Sequence, residues 1–335
     1  MVTNTQEICF ATVNVRNNKD YDPAKPNGPY MEKPWSERKT RLVDAILATG
    51  PLDLLGCQEV FHSQLLDLSE LLGKSYSHVG VGREDGKQAG EHAPIFFDNT
   101  KYELVEWCTI WLSPTPYEPG SIGWDAELPR IATLVTLRDR RVAGNLIHAV
   151  NTHYDHRGVD ARAQSSLLIR AEVHKWVTKI EAAEAVLEPG VVLLFGDFNS
   201  PPHEKGFQNI TSLLSHPAKE PSFSFLDSFS HLLSLNSSPS LFLPLQTRPY
   251  GPEHTYTEFG TRETRRIDFI MLGTDTQQTR EDDSKDAKIR AVARGEWQVT
   301  RYACLDNFVE KDVEGWTGIW SDHRAVKVTI RKVIT

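Results

Sequence analysis

The chain has little of what would mark it as a disulfide scaffold, a membrane protein or a nucleic-acid coat. It carries four cysteines in 335 residues (Cys9, Cys57, Cys108 and Cys304), spread so widely that no pair has zinc-ligand spacing. Three of them, Cys9, Cys57 and Cys108, lie in apolar strand-like runs, so buried free thiols are expected. No segment is long and apolar enough to span a membrane. The start, MVTNTQEICFATVNV, lacks the charged head and apolar stretch of a signal peptide. That absence predicts an intracellular protein of cytoplasm or nucleus, or a secreted one if a leader had been trimmed. Positive charge is also short: 37 Lys and Arg stand against 45 Asp and Glu, a net charge of −8. Tight salt-driven binding to long nucleic acid, which needs clustered cations, is disfavoured. A phosphate site is not, because divalent ions supply local positive charge. With no internal repeat and no linker, the chain reads as one domain over residues 1–335, a monomer.

What is present centres on Val191 to Pro202, VVLLFGDFNSPP. Val191 to Gly196 is an apolar run of strand length, rich in β-branched residues, as expected of a strand buried on both faces. Asp197 and Asn199 follow, two apart, so an extended backbone would point both side chains the same way. Pro201 and Pro202 then stop the strand. Alone, this cluster reads equally well as an Asp/Asn turn closing a core strand.

Other stretches repeat the pattern of an apolar strand ending in polar residues. Ile8 to Val15 ends around Asn14, and Leu52 to Val60 ends in Gln58-Glu59. Val142 to Tyr154, the second strand of a hairpin begun at Arg130 to Leu137, carries Asn151, His153 and Asp155. Arg265 to Leu272 carries Asp268, and Ser321-Asp322-His323 precedes a last strand, Ala325 to Lys332. Helices are expected over Glu37 to Leu47 with Ser36 as N-cap, over Gln64 to Leu72, over Asp160 to Glu184 and over Glu204 to Leu214. Tyr76 to Val81 and Trp297 to Leu305 read as further strands. His92 to Phe97 and Tyr102 to Leu112 are expected to pair around an Asp98-Asn99 turn. Loops are expected at 17–34, 82–90, 113–129 and over most of 217–252, which holds one apolar piece near Phe225 to Leu235, and a mobile one at 274–288.

If these strands pack in sheets, one edge gathers Asn14, Glu59, His153, Asp197, Asn199, Asp268, Asp322 and His323. Those residue types suit metal-assisted phosphoester hydrolysis. A hard divalent cation takes oxygen ligands, which the carboxylates and amides offer. Histidines can stabilise charge on phosphoryl oxygens, and an Asp partner can hold one in the useful tautomer. Singly, each residue reads as a turn former or a structural histidine; their shared position at strand ends argues otherwise.

TVNVR at 12–16, CQEV at 57–60, NTHYDHRG at 151–158, GDFNSPP at 196–202, RRIDFIM at 265–271 and SDHRAV at 321–326 together resemble the endonuclease/exonuclease/phosphatase superfamily, the DNase I-like proteins. The resemblance implies an α/β four-layered sandwich, two packed mixed sheets flanked by helices, with Mg²⁺ or Mn²⁺ as cofactor. It implies Glu59 as principal metal ligand with Asn14 beside it and Asp322 on the metal side. Asp197 would orient and deprotonate the attacking water and Asn199 would fix that water or the phosphate. His153 and His323 would contact the scissile phosphate, and Asp268 would hydrogen-bond His323. Arg38, Arg130, Asn151 and Arg162 are further candidates for substrate contact. Apurinic-site endonucleases usually follow the metal-binding Glu with Thr-Lys, where this chain has Val60-Phe61. The basic signature of inositol-phosphate 5-phosphatases is missing, and THYDHRG resembles instead a microbial and fungal branch.

The expectation is therefore a phosphodiester hydrolase, foremost a nuclease on DNA or RNA. The alternative is a phosphomonoesterase for a small phosphorylated metabolite, nucleotide, sugar or inositol phosphate. In that case loops 17–34, 82–92 and 113–129 would close a pocket, with Trp35, Tyr117 and Trp124 as stacking candidates. A second alternative is an inactive binding module, against which the full set of catalytic types argues.

Overall fold

A computed structural model describes residues 4–19, 21, 32–142, 144–213, 222–235, 248–260, 264–275 and 292–334. In chain order the elements are β1 (Asn4–Asn14), α1 (Trp35–Leu47), β2 (Leu54–Gln58), α2 (His62–Leu72), β3 (Tyr76–Val79), β4 (Ile95–Asp98), β5 (Tyr102–Trp111), β6 (Ile131–Asp139), β7 (Leu146–His153) and α3 (Val159–Glu184). There follow β8 (Val191–Asp197), α4 (Lys205–Thr211), β9 (Ser224–Asp227), α5 (Ser228–Leu235), β10 (Asp268–Asp275), β11 (Val292–Ala293), β12 (Gln298–Cys304), β13 (Phe308–Val309), β14 (Gly318–Ile319) and β15 (Val326–Ile334). One sheet runs β12-β15-β1-β2-β4-β3. The other runs β11-β10-β8-β7-β6-β5, with β9 also paired to β10.

Alternation along β8 explains the layering. Val191, Leu193 and Phe195 face the other sheet, where they meet Ile8 and Phe10 of β1 and Val326, Val328 and Ile330 of β15. Val192 and Leu194 face the opposite way, against Ile169, Val173 and Val177 of α3. On the far side, Leu42, Val43 and Ile46 of α1 and Leu65 and Leu68 of α2 cover Ala11 and Val13 of β1. The order is therefore helices, sheet, sheet, helices: the DNase I-like α/β sandwich. Each such apolar side chain taken fully out of water contributes roughly 1.5–3 kcal/mol, which is why β8 tolerates no polar residue before Asp197.

In each sheet the two central strands run parallel, β1 with β2 and β7 with β8. Their neighbours β15 and β10 run antiparallel to them. The ends of β1, β2, β7 and β8 thus lie at the same edge as the starts of β10 and β15. That edge holds every polar cluster noted in the sequence.

Three local expectations need correction. β4 and β5 do not pair: β4 joins β2 and β3, while β5 is an edge strand on β6, and the turn after Asp98 carries the chain from one sheet to the other. Burial explains it, since Ile95, Phe96 and Phe97 are all buried and need cover on both faces. Ser36 is not the cap of α1. The helix begins at Trp35 after Pro34, because the buried Trp35 indole donates to Asp67 of α2 at 2.8 Å and draws the first turn inward. Trp35 is accordingly a core residue rather than a stacking platform. Within 217–252, the apolar piece expected near Phe225 to Leu235 is β9 followed by α5. The loop expected at 274–288 lies outside the described residues except for its first two, which extend β10, and part of 17–34 also lies outside them. Among the described residues no helix is long and apolar enough to cross a membrane.

Candidate active site

At the polar edge a chain of contacts crosses from one sheet to the other. Asn14, fully buried at the end of β1, donates from Nδ2 to Glu59 Oε1 at 2.9 Å and to Asp197 Oδ2 at 3.0 Å. Its Oδ1 accepts the backbone N–H of Arg16. Asp197 ends β8 and lies in register with Asp268, the first residue of β10. Asp268 Oδ2 is 2.8 Å from Nδ1 of His323, and the other ring nitrogen of His323 is 3.7 Å from Asp197 Oδ2. Asp197, Asp268 and His323 are buried, with ligand atoms within 4.8 Å of one another.

Electrostatics separate these groups. Burial, then the nearby Asp268 charge, pushes the Asp197 carboxyl up to about 7 against the pull of His323 and the Asn14 amide. Burial alone would lower His323, but Asp268 and Asp197 outweigh it and raise the imidazole to about 10. Burial would raise Glu59, yet His153, Arg16 and the Asn14 and Asn17 donors hold it well below the usual carboxylate range. His153 goes the other way, lowered by burial and by the Arg130 guanidinium.

His153 ends β7 on the other side of Asp197, 3.6 Å from its Oδ2. Asn199 Nδ2 reaches the His153 ring at 3.2 Å and the Tyr154 carbonyl at 3.2 Å. The extended geometry expected for Asp197 and Asn199 does not hold. Asn199 has φ 46°, and its backbone N–H turns back to Asp197 Oδ1 at 2.9 Å. Arg16 (φ 57°) and Glu59 (φ 61°) share that left-handed conformation, which costs a non-glycine residue on the order of 1–3 kcal/mol. Three such residues just beyond three strand ends let the chain turn its polar groups back over the sheet edge.

The four sequence candidates for substrate contact separate. Arg130, 5% exposed, lies against both ring nitrogens of His153 at 3.2 and 3.3 Å and donates to Asp155 at 3.3 Å. Arg38 is fully buried and spends its guanidinium on the carbonyls of Val15, Arg16, Lys33 and Trp320, so it braces the loop after β1 instead of facing a ligand. Arg162 pairs with Glu204 at 2.8 Å and donates to the Asp155 carbonyl. Asn151, also fully buried, ties β7 to the Cys57 and Pro94 carbonyls. Tyr117 hydrogen-bonds Glu172 of α3.

Residues not anticipated complete the edge. Asn17 donates from its backbone and side chain to Glu59 Oε2. Ser321 Oγ donates to the Asn14 carbonyl at 2.6 Å, and Thr257 holds the Asp322 carbonyl. Thr255 Oγ1 accepts the backbone N–H groups of Ile267 and Asp268, fixing where β10 starts. The Tyr256 ring lies 4.9 Å from His323. Ser321 stands inside the SDHRAV stretch and Asn17 just after TVNVR; the threonines and Tyr256 act through geometry.

The family model described as the Endonuclease/Exonuclease/phosphatase family matches residues 11–323. The chain belongs to the endonuclease/exonuclease/phosphatase family. Among solved structures it is similar to the endonuclease/exonuclease/phosphatase from Bacteroides vulgatus, with 27% identity, 98% of this chain and 100% of that one covered, and a TM-score of 0.70. It is also similar to a mannosyl-6-phosphatase of Bacteroides thetaiotaomicron, with 26% identity, 96% and 99% covered, and a TM-score of 0.70. A D. rerio TDP2 complexed with single-strand DNA product, 15% identical over 97% and 98% with a TM-score of 0.58, shares the fold. No curated protein matches the chain. The branch inferred from THYDHRG stays a resemblance.

The endonuclease/exonuclease/phosphatase assignment makes the chain a phosphoesterase of a family that generally uses divalent metals. The donor set fits such an ion. Glu59 and Asp322 are hard oxygen donors close enough for Glu59 to raise the Asp322 carboxyl, after burial, above its usual value. Asn14 directs its Nδ2 to Glu59 and Asp197 and its Oδ1 to the Arg16 backbone N–H, which ties the Glu59 side of the edge to Asp197. The Asp197, Asp268 and His323 group has metal-compatible atoms too. Its 2.8 Å His323–Asp268 contact, however, already satisfies Nδ1, as in an acid–base pair.

Proposed function

We propose that the chain is a divalent-metal-dependent phosphomonoesterase acting on a small phosphorylated metabolite. The carrying observation is the line of contacts Glu59–Asn14–Asp197–His323–Asp268, in which His323 approaches Asp197 to 3.7 Å, with His153 on the other side of Asp197 and Asn199 and Arg130 on the His153 ring. Hydrolysis needs an oriented water on one side of phosphorus and charge stabilisation around the equatorial oxygens. Asp197 orients the water and takes its proton as the new P–O bond forms and the ester P–O bond breaks. His323, kept protonated by Asp268, stabilises a phosphoryl oxygen. His153, Asn199 and Arg130 donate to the others. Glu59 and Asp322 would hold Mg²⁺ or Mn²⁺, which when bound supplies Lewis-acid stabilisation of the phosphoryl charge.

Nucleases and phosphatases share these catalytic types, so the substrate class rests on other features. The net charge of −8 opposes a long polyanion. Similarity to a mannosyl-6-phosphatase across nearly the whole of both chains supports a small phosphorylated sugar or metabolite. The test is phosphate release from sugar 6-phosphates, nucleotides and p-nitrophenyl phosphate, beside cleavage of single-stranded and duplex oligonucleotides, with Mg²⁺ or Mn²⁺. Monoester turnover exceeding oligonucleotide cleavage is expected. Oligonucleotide cleavage without monoester turnover would overturn the assignment.

A further inference from the structure

Beside His153 the site ends in a narrow notch walled by Arg83, Arg130, His92 and Ile131, with space of about 10 Å³. That is close to the room one water or one oxygen atom occupies. Arg83 comes from the hairpin loop between β3 and β4 and is 7% exposed. Its backbone is fixed by hydrogen bonds to the Glu91 carbonyl and from the Trp111 indole. Its Nη1 pairs with Glu91 at 2.6 Å, while its buried Nε has no hydrogen-bond partner among the described residues. Arg130 is anchored by Asp155 at 3.3 Å and lies within 3.3 Å of both His153 ring nitrogens. Glu91 also lines the notch; its Oε2 pairs with Arg83 and lies 3.7 Å from His153 Nδ1. Glu91 and Asp155 thus offset the two guanidinium charges, which leaves the Arg83 Nε as the unmet group, and a buried donor without a partner is costly. Burial weakens Arg83's hold on its proton, with Glu91 opposing it and the Arg130 charge adding to it. A bound phosphate oxygen would relieve that cost.

We infer that Arg83 and Arg130 form a specificity notch that receives one terminal oxygen of the reacting phosphate and selects monoesters over diesters. A monoester phosphate has three terminal oxygens and a diester has two. With one oxygen directed toward the Glu59–Asp322 side and one toward His323, the third falls on the His153 side. In a diester the third position is the second ester oxygen with its carbon attached, and a notch sized for one atom, closed by buried Ile131 and Ala93, has no space for that carbon. Charge-assisted bonds from a planar guanidinium suit a phosphate oxygen and reject an ester oxygen, which is a weaker acceptor.

This inference rests on the phosphomonoesterase reading, and the experiment separates the two. Arg83→Met, Arg83→Lys and, as a control at a distant exposed turn, Arg140→Ala are compared with the parent. The readouts are kcat/KM on p-nitrophenyl phosphate and on bis-p-nitrophenyl phosphate, the calorimetric affinity for inorganic phosphate, and the melting temperature. Arg83→Met is expected to lower monoester kcat/KM about 10–100-fold, the span of one lost charge-assisted hydrogen bond. The monoester-to-diester ratio should fall about tenfold or more, and phosphate should bind more weakly. Arg83→Lys should shift the ratio the same way by less, and it carries the test if the Met variant does not fold. A parent active only on diesters overturns the functional reading. A parent active on monoesters whose Arg83 variants keep the parental ratio and phosphate affinity overturns the notch alone.

Discussion

His323 and Asp268 meet at 2.8 Å although 54 residues separate them in the chain, and the meeting follows from sheet topology. β15 lies antiparallel to β1, β10 antiparallel to β8, and β1 packs over β8 through Phe10 and Phe195, whose ring centroids are 6.3 Å apart. His323, three residues ahead of β15, and the first residue of β10 are thereby brought face to face across the gap between the sheets. Among the described residues Asp268 Oδ1 has no hydrogen-bond partner, so the carboxylate's side-chain hydrogen bond there is the one to the imidazole.

Asp268→Asn therefore tests a positioning role. The amide keeps the shape but no longer supports a charged His323, and kcat should fall roughly 100-fold with a smaller change in KM, as for other positioned electrostatic groups. His323→Ala should lose a comparable amount. The double variant should lose less than the product of the two, because both act on one transition state. Strictly multiplicative losses in steady-state kinetics would separate the two residues.

Glu59→Gln should weaken Mg²⁺ or Mn²⁺ binding in titration calorimetry and remove most activity. The substitution keeps the shape but only one acceptor oxygen, so it gives up either the Asn14 or the Asn17 bonds, and the melting temperature is read beside the metal affinity. Were Glu59 only a partner of Arg16, at 4.0 Å, the cost would be ~0–1 kcal/mol of stability with metal affinity unchanged. Parental metal affinity in the variant would remove Glu59 from the ligand set.

A pH effect on folding is expected far from the site, at Glu181 near the end of α3. Its carboxylate takes both Nη atoms of Arg294 at 2.7 Å and the Gly190 N–H at 2.8 Å. Burial opposes ionisation, but these bonds and His148 bring the pKa down to about 2. A depressed carboxylate contributes stability fully above its unfolded pKa of ~4.3 and loses it as pH falls through the folded value. Parent stability should thus include roughly 1 kcal/mol, allowing for solvent screening, that disappears between pH ~4 and about 2. In urea titrations the gap between parent and Glu181→Gln should be widest near neutrality and close over that window. A gap independent of pH would reject the assignment.

The layers and the polar edge were legible in sequence because apolar runs of strand length each ended in Asn, Asp, Glu or His. Contacts set by long-range geometry were not. Nothing local distinguishes Arg38, which serves carbonyls, from Arg130, which lies on His153, since each is an arginine at the start of an element. The left-handed turns at Arg16, Glu59 and Asn199 were equally hidden, because none is glycine. The β4/β5 misreading has the same root. A short turn between two apolar runs looks like a hairpin whether the strands join one sheet or two, and only the burial of Ile95 to Phe97 on both faces decides it.

The glycine of the GDFN segment provides the last test. Gly196 has φ +146°, and a Cβ built there would stand 2.0 Å from the Thr152 carbonyl oxygen. Thr152 is its register partner across the parallel β7–β8 pair, so neither backbone can retreat without parting the strands that carry His153 and Asp197. Gly50 offers a contrast: φ +101° but nothing within 4 Å of the added carbon. Gly50→Ala should cost only its backbone strain, about 1–2 kcal/mol. Gly196→Ala adds a clash inside a packed sheet and should cost about 3 kcal/mol or more. Any folded fraction should also be less active, because a shift of about 1 Å between His153 and Asp197 disturbs the alignment that in-line attack needs. Equal unfolding free energies for the two variants, or a Gly196→Ala enzyme with parental kcat, would show that the β7–β8 approach does not constrain the site.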